Sequence, residues 1–126
     1  MKFDRPSGPG IDFARDQVGP ADVVCDDSSV YWLTDLGVMK QDKAQPLGTT
    51  ITLAPNQPSP KRVAIDATNV YWTNGGSNSV MTVPKTGGTP IQVGSCTGAP
   101  YGIAVDGEGI YFTCPADGTV KMIPKK

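Results

Sequence analysis

Three kinds of side chain in this 126-residue sequence could carry chemistry: spaced carboxylates, cysteines, and polar residues that interrupt an otherwise regular pattern. Asp26, Asp66 and Asp106 stand about 40 residues apart, each closing an apolar run (Val23-Val24-Cys25, Val63-Ala64-Ile65, Ile103-Ala104-Val105). A periodic carboxylate at a tight turn reads first as a backbone acceptor, because Asp bonds N–H groups just ahead of it. Metal binding or catalysis is the second reading. The chain has no His, which removes Ser-His-Asp and Cys-His catalysis and the commonest zinc ligand. No catalytic residue, metal ligand or cofactor is expected. The chain has three Cys. Cys25 occupies the place of Ile65 and Val105 and is expected as a small buried apolar residue. Cys96 and Cys114 fall at one edge of the same four-stranded unit, within bridging reach, and a disulfide between them is expected. Free thiols are the alternative. The bridge would imply an oxidising, extracytoplasmic compartment.

The elements that position these residues repeat. Each apolar run is followed by a second one: Val30-Tyr31-Trp32, Val70-Tyr71-Trp72, Ile110-Tyr111-Phe112. A third recurs as Val38-Met39-Lys40-Gln41-Asp42-Lys43, Val80-Met81-Thr82-Val83-Pro84-Lys85 and Val120-Lys121-Met122-Ile123-Pro124-Lys125. A fourth recurs as Ile51-Thr52-Leu53-Ala54 and Ile91-Gln92-Val93-Gly94, with its remaining copy at the front of the chain, Ile11-Asp12-Phe13-Ala14. The connections are polar and turn-forming, and Gly87-Gly88 is a hairpin signal. With 15 Gly and 12 Pro, about double average usage, the composition disfavours helices and suits short strands. The first two runs are apolar on both faces, so the sheets must be covered on both sides. The adjacent aromatic pairs point to opposite faces and fill both gaps. Four-stranded antiparallel meanders repeated about every 40 residues read as propeller blades.

The run Val63-Ala64-Ile65-Asp66-Ala67-Thr68-Asn69-Val70-Tyr71-Trp72-Thr73-Asn74 resembles the blade repeat of six-bladed propellers of the TolB-like, NHL and YWTD kind, and especially short tandem blades of bacterial secreted propellers. Where YWTD blades carry Asp, this chain has Thr34, Asn74 and Cys114. The resemblance implies an all-β propeller with blades near residues 20–54, 60–94 and 100–126, after a tail at 1–10 and a lone strand at 11–14. Propellers usually have four to eight blades, and three cannot fan far enough to close. The expected form is therefore a homodimer of six blades, and the alternative is a fragment of a longer propeller or one half of a duplicated gene. In the homodimer, the strand at 11–14 would complete the partner's last blade and cover an exposed edge.

No apolar run reaches the ~18 residues of a membrane span, and residues 1–10 lack the apolar core of a signal peptide. Net charge is −1 with no basic patch, so neither membrane nor nucleic acid is an expected partner. Function is expected on residues that break the repeat: Asp22, Arg62 and Tyr101 at the channel mouth, and Asp35, Asn74, Asn78 and Asp117 on the face formed by the connections. The expected role is a non-enzymatic scaffold binding a glycan, small polar molecule or protein. The alternative is a propeller-type lyase or hydrolase with its site at the central channel.

Overall fold

The computed structural model describes residues 11–125, all-β. The expected tail at residues 1–10 lies outside the described residues, as does Lys126. Eleven strands follow in chain order: β1 Val23–Cys25, β2 Ser29–Thr34, β3 Gly37–Asp42, β4 Ile51–Pro55, β5 Pro60–Ile65, β6 Asn69–Asn74, β7 Ser79–Pro84, β8 Ile91–Ser95, β9 Ile103–Val105, β10 Gly109–Cys114 and β11 Thr119–Pro124. They form three antiparallel sheets, β1-β2-β3-β4, β5-β6-β7-β8 and β9-β10-β11. The register repeats with the sequence: Val23 faces Trp32, Val63 faces Trp72 and Ile103 faces Phe112. The outer pairings shift register at the same place, between Val38 and Met39 and between Val80 and Met81.

Each blade buries one face against the next, as strands apolar on both sides require. Tyr31, Leu33, Val38, Leu53 and Ala54 of the first blade form one cluster with Val63, Val70, Trp72 and Val83 of the second. Tyr71 and Val80 of the second form another with Ile110 and Phe112 of the third. At Gly94 the β8 backbone passes so close to the next blade that a Cβ would stand 2.9 Å from the Phe112 ring. The inner strands β1, β5 and β9 are neighbours along one side of the stack.

The two outward faces of the stack differ from its inner ones. Val23 is 61% exposed and Val120 72%, whereas their counterparts Val63 and Val80 are 5% and 0% exposed. Cys25, expected to be buried, is exposed; the face of β1 that carries it has no blade in front of it. Residues 11–14, expected as a strand, are irregular. A strand needs a ladder partner along its length, and the open edge of β11 belongs to the third sheet. Instead Phe13 packs edge-on against Trp32, ring centroids 6.5 Å apart. Its carbonyl accepts the Leu47 N–H at 2.6 Å and the Gln41 Nε2 at 2.8 Å. Gln41 is fully buried where the other repeats have Val83 and Ile123, and its Oε1 accepts the Thr50 hydroxyl.

Candidate binding face

The turn after each inner strand is built by its aspartate. Asp26 Oδ1 accepts the N–H groups of Ser28 (3.0 Å) and Ser29 (2.8 Å). Asp66 does the same for Thr68 and Asn69, and Asp106 for Glu108 and Gly109. The second oxygen faces outward from the turn. Asp26 Oδ2 accepts the Tyr31 hydroxyl at 3.0 Å and the ammonium of Lys85, from the next blade, at 2.7 Å. Asp66 Oδ2 accepts Tyr71 and Lys125, both at 2.7 Å. Burial alone would raise these two carboxyls, but the lysine, the tyrosine and the backbone donors hold both far below the usual carboxylate range. The Tyr31 and Tyr71 hydroxyls, desolvated and donating to a carboxylate, are pushed up to about 12. The backbone donors lower Asp106, and desolvation raises Tyr111. Among the described residues no lysine donates to Asp106. Asp26 and Asp66 thus join blades together.

A second junction recurs with changing chemistry. The connection entering each blade is pinned to that blade's second strand. Gln17 Oε1 accepts the Trp32 indole N–H at 3.0 Å, and Gln57 Oε1 accepts that of Trp72 at 3.1 Å. In the third blade Phe112 has no N–H to give and Thr97 replaces the glutamine. There a Cys96–Cys114 disulfide makes the link, with Cα atoms 5.6 Å apart. The expected bridge is present, but it does more than close one blade's edge. The Cys96 N–H still bonds Asn78 O at the end of the second blade, so the disulfide staples the second blade to the third. Asp16 and Asn56 hold the same left-handed backbone, φ 63° and 59°, one residue before each glutamine. The chain therefore enters the first blade as it enters the second.

The residues that break the repeat fall into two groups. Asp22, Arg62 and Tyr101 stand at the starts of the inner strands or just before them. Asp22 Oδ2 accepts the Val63 N–H at 3.0 Å, which makes it a blade-to-blade tie. The Arg62 guanidinium lies 4.3 Å from the centre of the Tyr101 ring and donates to its hydroxyl. Tyr101 is 47% exposed and Arg62 is half-buried, its guanidinium also donating to Lys61 O at 3.1 Å. On the connection face, Asn78 Nδ2 donates to Thr97 O at 3.4 Å, and Thr97 donates to Asp117 through its hydroxyl and N–H. The Thr97 hydroxyl lowers the Asp117 carboxyl. Asn78 and Asp117 thus meet at the seam between the second and third blades. Asp35 lies apart in the first blade, its N–H bonded to Val18 O at 2.7 Å. Asn74 is buried, donating to Gln57 Oε1 at 2.8 Å, and its Oδ1 has no partner among the described residues. The sequence reading missed Gln17, Gln41 and Gln57 as structural links. The signal for two of them was a Gln fifteen residues before each Trp. Among the described residues no cluster of three metal-ligating side chains occurs, and no helix is long and apolar enough to cross a membrane.

No protein-family model matches the chain, and no curated protein matches it. Solved structures do. A nidogen/laminin complex is similar at 17% identity, with 82% of this chain and 47% of that one covered and a TM-score of 0.64. Streptogramin B lyase is similar at 18% identity, covering 89% of this chain and 43% of that one, with a TM-score of 0.68. Kuenenia stuttgartiensis hydrazine synthase is similar at 20% identity, 95% of this chain, 36% of that one and a TM-score of 0.67. The chain spans less than half the length of each. These neighbours are β-propellers, and at such identities the likeness carries fold alone. The three sheets, their shared register and their face-to-face stacking are three blades of a β-propeller, the third with three described strands.

Proposed function

We propose that this chain is a non-enzymatic propeller scaffold, paired as a homodimer, that binds a small polar molecule or a glycan at the inner end of its blades. The observation that carries the reading is the Arg62–Tyr101 stack. It breaks a repeat that is otherwise kept for structural ends, and it sets a half-buried guanidinium on an exposed aromatic ring. An aromatic face packs against sugar C–H groups, and the guanidinium pairs with a carboxylate or sulfate. An acidic glycan is the ligand this chemistry suits. The test is a screen of acidic and neutral glycans by calorimetry, with Arg62→Ala and Tyr101→Ala as controls. Binding of acidic glycans that both variants abolish supports the reading. No binding by any glycan or small acid, or binding that neither variant affects, overturns it.

A propeller-type lyase or hydrolase is the second reading, supported by the likeness to streptogramin B lyase. Four of the described carboxylates, Asp22, Asp26, Asp66 and Asp117, are taken up by backbone, lysine or threonine donors. The Cys96–Cys114 bridge supports residence in an oxidising, extracytoplasmic compartment.

A further inference from the structure

The two exposed end faces carry the same parts that meet inside the stack. In each blade the lysine that follows the third strand is held by one repeated bond. Lys43 N–H donates to Ser28 O at 2.9 Å, Lys85 to Thr68 O at 2.9 Å and Lys125 to Glu108 O at 3.0 Å. Lys85 and Lys125 each reach back one blade to an Asp–Tyr pair, at sites mostly out of solvent. Lys43 belongs to the first blade, so the pair it would reach lies in front of that blade. Asp106, beside Tyr111, has the Asx turn of the other two sites, and among the described residues no lysine donates to it.

The apolar surfaces match in the same way. A groove of about 680 Å³ runs along the front of the first blade, lined by residues 11–14 and by Val23, Val30 and Trp32, of which Val23 is exposed, Val30 half-buried and Trp32 buried beside Phe13. Their counterparts Val63, Val70 and Trp72 are buried under the first blade's Val38 and Leu33. The counterpart of Val38 on the third blade is Val120, exposed beside Met122. The Ile91–Thr82 and Gln92–Met81 register of the second blade, carried to the ends, sets Ile11 against Met122 and Asp12 against Lys121. An apolar pair and an opposite-charge pair would then face each other across that edge.

We propose that the third blade of one copy packs on the front of the first blade of a second copy, and that Lys43 of each copy occupies the Asp106–Tyr111 site of the other. This rests on the homodimer reading and specifies its interface. The two-fold axis makes the junction twice, closing a six-bladed ring. Cys25, on the same face as Val23, is then enclosed, as Ile65 is packed between the first two blades.

Sedimentation of the wild type, with and without iodoacetamide treatment of the native protein, tests it. The expected species has twice the 13.2 kDa chain mass, with Cys25 unreactive until denaturation. Lys43→Glu and Asp106→Asn, the latter able to keep the turn, should each weaken the dimer about tenfold per junction and so about a hundredfold overall. Both should expose Cys25 to alkylation, and Lys43→Arg should leave it protected. Val120→Asp, at an exposed position, should give a folded monomer with unchanged near-ultraviolet dichroism. A wild-type dimer indifferent to Lys43→Glu and Asp106→Asn overturns this junction and leaves the dimer standing. A wild-type monomer overturns both.

Discussion

One aspartate per blade does two jobs with its two oxygens. Oδ1 fixes the turn between the first two strands, and in the first two blades Oδ2 takes a tyrosine hydroxyl and the next blade's lysine. Asp66→Asn keeps the turn acceptor and loses the charge, and should lower unfolding free energy by about 1–2 kcal/mol in urea titration. The pH dependence follows from the same groups. Asp26 and Asp66 sit below their unfolded value of 3.8, so their contribution is complete above about pH 4 and drains away as the pH falls further. Tyr31 and Tyr71 sit above theirs, at about 12 against 10.0. Their contribution is complete below pH 10 and is lost as the pH climbs from 10 to 12. Melting temperature should therefore fall at both extremes, and replacing both tyrosines with Phe should flatten the alkaline limb. The role of these aspartates was legible in the sequence, because strict periodicity marks a scaffold part. Their lysine partners were not, because 59 residues separate each pair.

At the scale of elements, the blade entry shows one mechanical need met by different bonds. Two blades use an indole N–H on a glutamine, and the third uses a disulfide. The bridge spans 18 residues, so its loss should cost about 3 kcal/mol by loop-closure entropy. Cys114→Ser with Cys96→Ser, followed by thermal unfolding, checks this. Gln57→Leu strands the Trp72 and Asn74 donors in a buried place and should cost about 1–3 kcal/mol. Gln41 is a tether of another kind, holding the Phe13 carbonyl from inside the first blade. Gln41→Val, which restores the repeat residue, should release residues 11–14 and shift Trp32 emission to the red. The strand runs themselves could be read from apolar alternation and turn residues. Residues 11–14 could be read as a strand only in the company of a ladder that this chain alone does not give them.

For the whole molecule the contrast lies between inner and outer faces. Val80→Ala removes two methyl groups from a fully buried site and should cost about 2 kcal/mol in folding stability. Val120→Ala, at the matching position of the exposed end, should leave the dilute chain's stability within about 0.5 kcal/mol of wild type. Urea titration of both variants side by side measures the difference.

The sequence by itself determined the blade: its four runs, its turns, its aspartate and its count of three. Those features are local or periodic, and periodicity survives without coordinates. Only the tertiary structure decided which residues work between blades. It put Lys85 on Asp26, gave the Cys96–Cys114 bridge a seam to hold as well as a blade edge, left Cys25 bare and set Arg62 on Tyr101. Those contacts depend on how one sheet stacks on the next, and stacking joins residues whose separation along the chain carries no local signal.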